Sequence, residues 1–154
     1  MTFEKTPSGT RGSKIPSFAV PVMKFMSGLM IKQSRRSGKA AGMDALVLNT
    51  VGAKTGQSRQ TLLGRFPDGE DAWLIVASAG GTVTNPAWYH NIAAHPDQVR
   101  AEINGRTFRV TPVQLTGPER AAAWQRIITA QPRYAGYEKK TDRELPVIRL
   151  TAAQ

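Results

Sequence analysis

The sequence predicts an α+β domain made mainly of antiparallel strands, as a barrel or curled sheet with helices packed on its outside. Alternating side chains flank Asn104-Gly105, a dipeptide that adopts a type I′ turn at little steric cost, and this predicts a β-hairpin. Strand-like and helical segments do not alternate as they do in a parallel sheet. A length of 154 residues, 40% of them hydrophobic, favours one globular domain.

Six segments have the composition of strands. Each is an apolar or alternating run, and turn residues such as those in "FPDGED" separate several of them. The third segment, "AWLIVAS", is a near-continuous apolar run that is typical of a buried strand. The predicted strands are 45–51, 59–66, 72–78, 98–103, 106–115 and 145–150.

Residues 1–16 contain glycines, prolines and scattered polar residues, and we expect them to form a flexible arm before a single domain over 17–154. Three helices are predicted within that domain. The first covers about 21–36, the second lies between Pro86 and Pro96, and the third begins at Thr116 as N-cap and ends near Pro132.

The helix over about 21–36 is amphipathic and has a basic C-terminal end. This pattern fits a helix that packs on the core, and it also fits a helix that contacts anionic lipid headgroups. The apolar face consists of Val22, Phe25, Met26, Leu29 and Met30, and the cations are Lys24, Lys32, Arg35 and Arg36.

The formal charge of +10 is concentrated in the first half of the chain. Residues 1–65 hold eleven Lys and Arg against two acids, whereas residues 66–154 hold ten against nine. An anionic partner is therefore expected to meet the first half. Nucleic acid, an anionic membrane surface and a small polyanionic ligand all suit such a field, and charge alone does not choose among them.

The composition excludes several kinds of chemistry. The chain has no cysteine, which excludes disulfides, thiolate metal sites and a cysteine nucleophile. Its two histidines, His90 and His95, have no carboxylate cluster beside them, so no metal site is predicted. There is no apolar run of about 18 residues and no apolar core of a signal peptide, so we expect a cytoplasmic protein.

The segment "TVGAKTGQSRQ" joins the first two predicted strands. Glycines at 52 and 56 allow backbone N–H groups to face a ligand closely, and Lys54 and Arg59 add charged donors. The segment therefore has the composition of an anion-binding nest. An ordinary solvated hairpin loop explains the same residues.

Two other segments are candidates for a ligand site. Small residues at 77–81 follow a buried strand and leave room for a flat ligand, while Trp88 begins a helix whose N-terminus can face an anion. Tyr134 and Tyr137 project to one side of any helical turn and can wall a pocket. Core or surface roles fit these residues equally well. Because the sequence contains no recognisable catalytic triad or carboxylate pair, an enzyme of this sequence would depend on a bound cofactor.

Three stretches together resemble the deazaflavin-dependent nitroreductase family of actinobacteria, whose members bind coenzyme F420. They are "NTVGAKTGQSRQTLL", "LIVASAGGTVTNPAWYHNIAAHP" and "QPRYAGYEKKTDRELPVI", within a likeness that runs from about Leu46 to Leu150. The resemblance implies a split β-barrel related to flavin-binding barrels. It also implies a ligand that is polyanionic at its phosphodiester and oligoglutamate end and flat and aromatic at its 8-hydroxy-5-deazaflavin end.

The resemblance assigns site residues by analogy. The basic loop and the strand after it would hold the phosphate and tail, the end of the third strand would underlie the ring, and the second helix would complete the cradle, with Tyr134 closing the open face. The implied cofactor-binding residues are Ala53, Lys54, Thr55, Arg59, Gln60, Thr61, Leu62, Leu63, Gly64, Val76, Ala77, Ser78, Ala79, Ala87, Trp88, Tyr89, His90, Asn91 and Tyr134.

By the same analogy, the chain is expected to be a reductase that passes a hydride from reduced F420 to a quinone, an activated enone or a nitro compound. Ser78, Tyr134 and Tyr137 are the candidates for hydrogen bonding to the substrate oxygen that gains charge. Some relatives carry a lysine or aromatic residues where this chain has Ala79, Gly64 and Gln131, which implies a roomier pocket. We expect a monomer with menaquinone as a candidate acceptor and peripheral contact with the inner face of the cell membrane.

Two other function classes remain open at this point. An F420 carrier without turnover would share the same binding residues. A basic nucleic-acid-binding domain would use the same charge, but the aromatic residues do not interleave with the basic arm, so we expect no nucleic-acid partner.

Overall fold

The structure is a computed structural model that describes residues 4–12, 14, 17–40 and 42–153. A short 3-10 turn, Ser17–Ala19, precedes the first helix. The helices are α1 (Val20–Ser37), α2 (Ala87–Ala94), α3 (Gly117–Ala130) and α4 (Arg133–Lys140). The strands are β1 (Lys39–Ala40), β2 (Met43–Val51), β3 (Ser58–Gly64), β4 (Phe66–Pro67), β5 (Ala72–Val76), β6 (Arg100–Ile103), β7 (Arg106–Gln114) and β8 (Val147–Ala152).

All six predicted strands are present, as β2, β3, β5, β6, β7 and β8. The second predicted strand is divided, because β3 ends at Gly64 and β4 begins at Phe66. The β6–β7 turn has φ values of 50° at Asn104 and 81° at Gly105, as the hairpin prediction requires. Helix α4 was not predicted as a separate helix, because Gly136 lowers the helix propensity of this segment and only Tyr134 within it is buried.

The strands form one antiparallel sheet in the order β3-β2-β6-β7-β8-β5-β4, and the short β1 pairs with the first residues of β2. Strands β3 and β4 lie at opposite ends of this order, although only Arg65 separates them along the chain. The sheet must therefore curl back on itself. Arg65 holds the bend, since its backbone N–H donates to Asp44 O at 3.0 Å and its Nε donates to Ala45 O at 2.8 Å.

The core has two layers because side chains alternate along the strands. In β5, Ile75 faces the barrel interior, whereas Leu74 and Val76 face α3 and α4. The inner cluster consists of Leu46, Leu48, Ile75, Ala77, Trp88, Tyr89, Ile92, Val99, Ala101, Val110, Ile148 and Leu150. The outer cluster consists of Met43, Phe66, Leu74, Val76, Leu115, Ala123, Trp124, Ile127, Tyr134, Leu145 and Val147.

Helix α1 contributes little to either cluster. Among its residues whose burial is described, only Ile31 and Ser34 are buried. Phe25 is 69% exposed and Val22 is 63% exposed. The prediction that this apolar face packs on the core is therefore wrong. Within the described ranges, no helix is both long enough and apolar enough to cross a membrane.

The described part of the N-terminal arm lies along the barrel. Gly9 N donates to Val83 O at 2.9 Å, and the backbone N–H groups of Thr10 and Arg11 donate to Asp142 Oδ1 at 2.8 and 2.9 Å. Residues 1–3, 13, 15 and 16 of the predicted arm lie outside the described residues. The flexibility of the arm stays a prediction.

Candidate functional site

Most backbone N–H groups of the loop Gly52–Gln57, between β2 and β3, donate hydrogen bonds to other atoms of the protein. Gly52 N donates to Gln57 O at 2.8 Å, and Gly56 N donates to Gly52 O at 3.0 Å. Gln57 N donates to Thr55 Oγ1 at 3.2 Å, and Ala53 N donates to the side chain of Asn91. The predicted nest of free N–H groups is therefore reduced to those of Lys54 and Thr55, for which the described residues provide no acceptor.

Asn91 connects α2 to this loop. Its side chain is buried, its Oδ1 accepts from Ala53 N at 2.9 Å, and its Nδ2 donates to Thr50 Oγ1 at 3.1 Å. A buried amide that satisfies both of its polar atoms in this way holds the loop backbone at Ala53 and the Thr50 side chain on β2. Asn91 was predicted to be a cofactor residue, and the structure places it behind the loop rather than at the surface.

The loop presents a positive surface. Lys54 and Arg59 are exposed, and neither forms an ion pair with a carboxylate in the described part of the chain. The half-buried His90 lies in the same field. Burial lowers the pKa of His90, and the charges of Lys5 and Lys54 lower it further, so the imidazole is neutral near pH 7.

A groove of 810 Å³, which we call the helix groove, runs between α1 and β3. One side of the groove is formed by a face of α1, and the other side is formed by several of the predicted cofactor residues. Its lining residues are Met23, Ser27, Gly28, Met30, Ile31, Arg59, Gln60, Thr61, Leu62 and Ala87. Leu63 does not line it, because its partly buried side chain packs on the inner cluster.

A second groove of 580 Å³, which we call the loop groove, meets the first at Ala87. Lys14 from the arm and Ala79 lie on its sides, and the remaining lining residues are Thr82, Val83, Thr84, Asn85 and Pro86. The small side chain of Ala87 at the start of α2 thus lies where the two grooves join. A flat ligand with an anionic extension matches this shape, because Arg59 lines the helix groove and Lys54 lies on the loop that precedes β3.

The segment Val76–Ala79 leads from the end of β5 to the loop groove. Val76, Ala77 and Ser78 are buried, and only Ala79 is exposed. Ala79 has φ 45°, a left-handed conformation that is uncommon for alanine, and Gly81 N closes the turn by donating to Ser78 O at 2.8 Å. Of the four residues predicted to underlie a ring, only Ala79 lines one of the two grooves.

Arg143 holds this segment from behind, although no sequence motif predicted a role for it. The buried guanidinium donates from Nη1 to Ala77 O at 2.9 Å and from Nη2 to Ser78 O at 2.9 Å. It also donates to Thr82 O at 3.1 Å and to Asn85 Oδ1 at 2.6 Å. The one signal in the sequence is its position two residues before the apolar segment at 145–150.

Two aromatic residues of α2 belong to the core rather than to a groove. Trp88 is 5% exposed and Tyr89 is 0% exposed, and both are members of the inner cluster. The Tyr89 hydroxyl accepts from Thr6 N at 2.8 Å and donates to Gln114 Oε1. Of the two roles left open for Trp88, packing in the core is therefore the one that the structure shows.

Tyr134 and Tyr137 lie on one side of α4, as the sequence predicted, with ring centroids 5.4 Å apart. Tyr134 also contacts Phe66 edge-on, and burial together with Tyr137 raises the pKa of its phenol. Neither residue lines the two grooves. The space at Gly64 is filled, since a Cβ there would collide with Met43 Cε and lie 3.1 Å from the Tyr134 hydroxyl. The extra room expected at this position is therefore absent.

Comparison with known proteins identifies the family. A family model described as F420H(2)-dependent quinone reductase matches residues 27–152. The chain belongs to the F420H(2)-dependent quinone reductase family. It is therefore an F420H2-dependent oxidoreductase, and F420 is its cofactor. The predicted family, enzyme class and cofactor are confirmed.

Relatives and solved structures agree with this membership. An F420H(2)-dependent quinone reductase of Mycobacterium tuberculosis (strain ATCC 25618 / H37Rv) is 46% identical over 110 residues, which are 70% of this chain and 72% of the relative. The structure of an F420-H2 dependent reductase, FDR-A, superimposes with a TM-score of 0.61 at 34% identity, over 69% of this chain and 92% of that one. The predicted split β-barrel with flanking helices is thus confirmed.

A further solved structure is described as a domain-swapped dimer. It is 29% identical, has a TM-score of 0.63, and covers 85% of this chain and 98% of that one.

Proposed function

We propose that this F420H2-dependent reductase passes a hydride to a quinone, and also to activated enones and nitro compounds. The observation that carries the proposal is the junction of the two grooves at Ala87, with Lys54 and Arg59 on the adjoining loop and strand. A ligand that is flat at one end and polyanionic at the other needs both features close together.

The residues present fit the coenzyme. Lys54 and Arg59, with the free N–H groups of Lys54 and Thr55, would hold the phosphate and the anionic tail. Thr61 and Leu62 would line its path along the helix groove, and the small side chains of Ala79 and Ala87 leave room for a ring. Asn91 would act indirectly, because it holds Ala53 and hence the loop.

When bound, reduced F420 supplies a hydride from C5 of its ring. The chain must orient the acceptor beside that atom and donate hydrogen bonds to the oxygen that gains charge. Ser78 lies next to the loop groove, while Tyr134 keeps its proton near pH 7 because the pKa of its phenol is raised. Ser78, Tyr134 and Tyr137 remain our candidates for this donation, and the two tyrosines require movement of α4 or of the acceptor to reach it.

The experiment is consumption of F420H2, followed by the return of F420 fluorescence, with menadione, cyclohexenone and a nitroaromatic compound as acceptors. We expect turnover with menadione. Tight F420 binding without turnover on any acceptor would support the carrier alternative instead, and absence of F420 binding by folded protein would overturn the proposal itself.

We further propose that α1 lies on an anionic membrane surface at the inner face of the cell membrane. An exposed apolar stripe beside cations is the pattern of an interfacial helix. In α1 the stripe consists of Val22, Phe25, Met26 and Leu29, continued by Phe18 in the preceding turn, and the cations are Lys32, Arg36 and Arg35, which is paired with Glu102. Because Met23 and Met30 of the same helix line the helix groove, such docking would bring the groove to a lipid quinone such as menaquinone.

We propose that the reductase acts as a monomer. Its described residues complete both grooves within one chain. Sedimentation at several protein concentrations, with and without F420, tests this, and a concentration-dependent dimer would reject it.

A further inference from the structure

The guanidinium of Arg143 is a buried cation directly behind the wall of the loop groove. Its Nε donates to Thr82 O, and its Nη1 donates to the side chain of Asn85, and both of these residues line the groove. Its other hydrogen bonds go to the carbonyls of Ala77 and Ser78. Only one layer of peptide groups and side chains therefore separates this charge from the groove.

The charge of Arg143 is not neutralised by a neighbouring acid. The acceptors named above are all neutral, and within the described residues no carboxylate lies within 4.0 Å of it. The adjacent acids are turned elsewhere, since Asp142 binds Thr10 and Arg11, and Glu144 lies 3.4 Å from Arg120. Burial lowers the pKa of Arg143, but an arginine in a protein stays protonated.

The other titratable groups around this wall do not cancel the charge. Tyr89 faces Arg143 from α2, and its hydroxyl donates a hydrogen bond to Gln114 Oε1. Lys14 lines the loop groove from the arm, and Lys140 packs against Gly81 from α4, so both add positive charge. His90 beside Ala87 is neutral, as described above. The loop groove therefore has a positive electrostatic potential, to which Arg143 contributes from behind the wall and Lys14 and Lys140 contribute from its sides.

We propose that Arg143 is a positioning residue with two effects: it fixes the peptide wall from Ala77 to Asn85, and its uncompensated charge favours the anionic form of a deazaflavin ring bound in the loop groove. This inference rests on the proposed placement of F420. The 8-hydroxyl of the ring is acidic because its negative charge delocalises over the ring, and a nearby buried cation stabilises the anion. The proton leaves to solvent, and no electron is transferred in this step.

The test adds a counter-ion without removing Arg143. Asn85→Asp places a carboxylate where Nη1 already has an acceptor at 2.6 Å. We expect the pKa of the bound 8-hydroxyl, read from the pH dependence of the absorption spectrum of oxidised F420 on the protein, to rise by about one unit, a tenfold change in its acid dissociation constant. Wild-type protein should lower that pKa relative to free F420.

Asn85→Ala is the matched control. Both substitutions remove the hydrogen bond from Asn85 Nδ2 to Thr6 O at 2.8 Å, but only Asn85→Asp adds charge. Equal hydroxyl pKa values in the two variants, or a wild-type value equal to that of free F420, would overturn the charge effect. Wild-type protein that does not bind F420 would instead refute the proposed function.

The two effects of Arg143 are separated by replacing it. Arg143→Lys keeps a cation, but its three donors cannot replace the four hydrogen bonds that the guanidinium makes from three nitrogen atoms. We therefore expect it to weaken F420 binding by about tenfold while the bound hydroxyl pKa stays close to the wild-type value. Arg143→Gln, where it folds by thermal melting, should raise that pKa as Asn85→Asp does. If Arg143→Lys leaves the F420 affinity unchanged, Arg143 does not position the wall.

Discussion

Asn91 Oδ1 accepts a hydrogen bond from Ala53 N at 2.9 Å, and this bond ties the basic loop to α2 across the end of the barrel. The same side chain donates to Thr50 Oγ1 on β2. Helix α2 begins at Ala87, where the two grooves meet. The buried Asn91 amide therefore holds the loop that carries Lys54 at a fixed distance from the groove junction.

Replacement of Asn91 should damage both stability and coenzyme binding. Asn91→Ala leaves Ala53 N and Thr50 Oγ1 without their partner, and we expect a loss of about 1 to 3 kcal/mol in the free energy of unfolding together with weaker F420 binding. Urea unfolding and fluorescence titration measure the two effects. Thr50→Val removes only the second bond and serves as control: it should cost stability but keep the F420 affinity, and equal affinity losses in both variants would contradict a role for Ala53.

The exposed cations of the loop should contribute directly to F420 affinity. Lys54→Ala and Arg59→Ala are each expected to weaken binding by about 1 to 3 kcal/mol, because each removes a charged hydrogen-bond donor, and the loss should be greatest at low ionic strength. Arg106→Ala removes the same charge from the exposed tip of the β6–β7 hairpin, at the opposite end of β2, and should leave the affinity unchanged. If both loop variants behave like Arg106→Ala, the loop is not part of the site.

Gly64 should resist substitution for a purely steric reason. In Gly64→Ala the new Cβ meets Met43 Cε, and we expect an overpacking cost of about 1 to 3 kcal/mol in the free energy of unfolding. Met43→Ala removes that contact, so the double variant should show a favourable coupling in a double-mutant cycle.

Gly136→Ala, in α4, is the matched control, because a Cβ there meets nothing within 4 Å. It should stabilise the protein by about 0.5 to 1 kcal/mol. A Gly64→Ala variant as stable as wild type would show that Met43 moves aside without cost.

The contact between the arm and Asp142 should depend on pH. Hydrogen bonds from the Thr10 hydroxyl and from the Thr10 and Arg11 backbone lower the pKa of Asp142 from 3.8 to about 2. Because the folded-state pKa is depressed, the stabilisation is present above pH 3.8 and is lost as the pH falls towards about 2. We expect hydrogen-exchange protection of the Thr10 and Arg11 amides to fall over that interval.

Asp142→Asn should remove that pH dependence and reduce protection of the same amides at neutral pH. Protection that persists in wild type below pH 2, or that is unchanged in Asp142→Asn, would show that the arm is held by its other contacts, such as the one from Gly9 N to Val83 O.

The exposed face of α1 should govern membrane association. Phe25→Ser, at a side chain that is 69% exposed, is expected to weaken sedimentation with anionic vesicles without lowering the thermal midpoint. Val113→Ser, on β7 and 38% exposed, removes a surface apolar group elsewhere and should have no effect on vesicle binding. Equal vesicle binding by both variants and wild type would rule out α1 as the contact, and a change in sedimentation mass without vesicles would point to a second copy of the chain.

The sequence by itself determined the strands and most of the helices, because alternating residues, Asn104-Gly105 and the flanking prolines act locally. It also determined the family, through three motif-bearing stretches, and hence the cofactor. Helix α4 escaped prediction, because the burial of Tyr134 against Phe66 depends on residues distant in sequence.

Only the tertiary structure decided how the site is assembled. It showed that the N–H groups of the loop bind largely within the protein, that Trp88 and Tyr89 fill the core, and that α1 leaves its apolar face uncovered. It also revealed Arg143, whose partners lie 58 to 66 residues away. Such contacts form when the sheet curls and brings α2, the loop groove and the segment before β8 together, and no local pattern in the sequence encodes which donor will meet which acceptor.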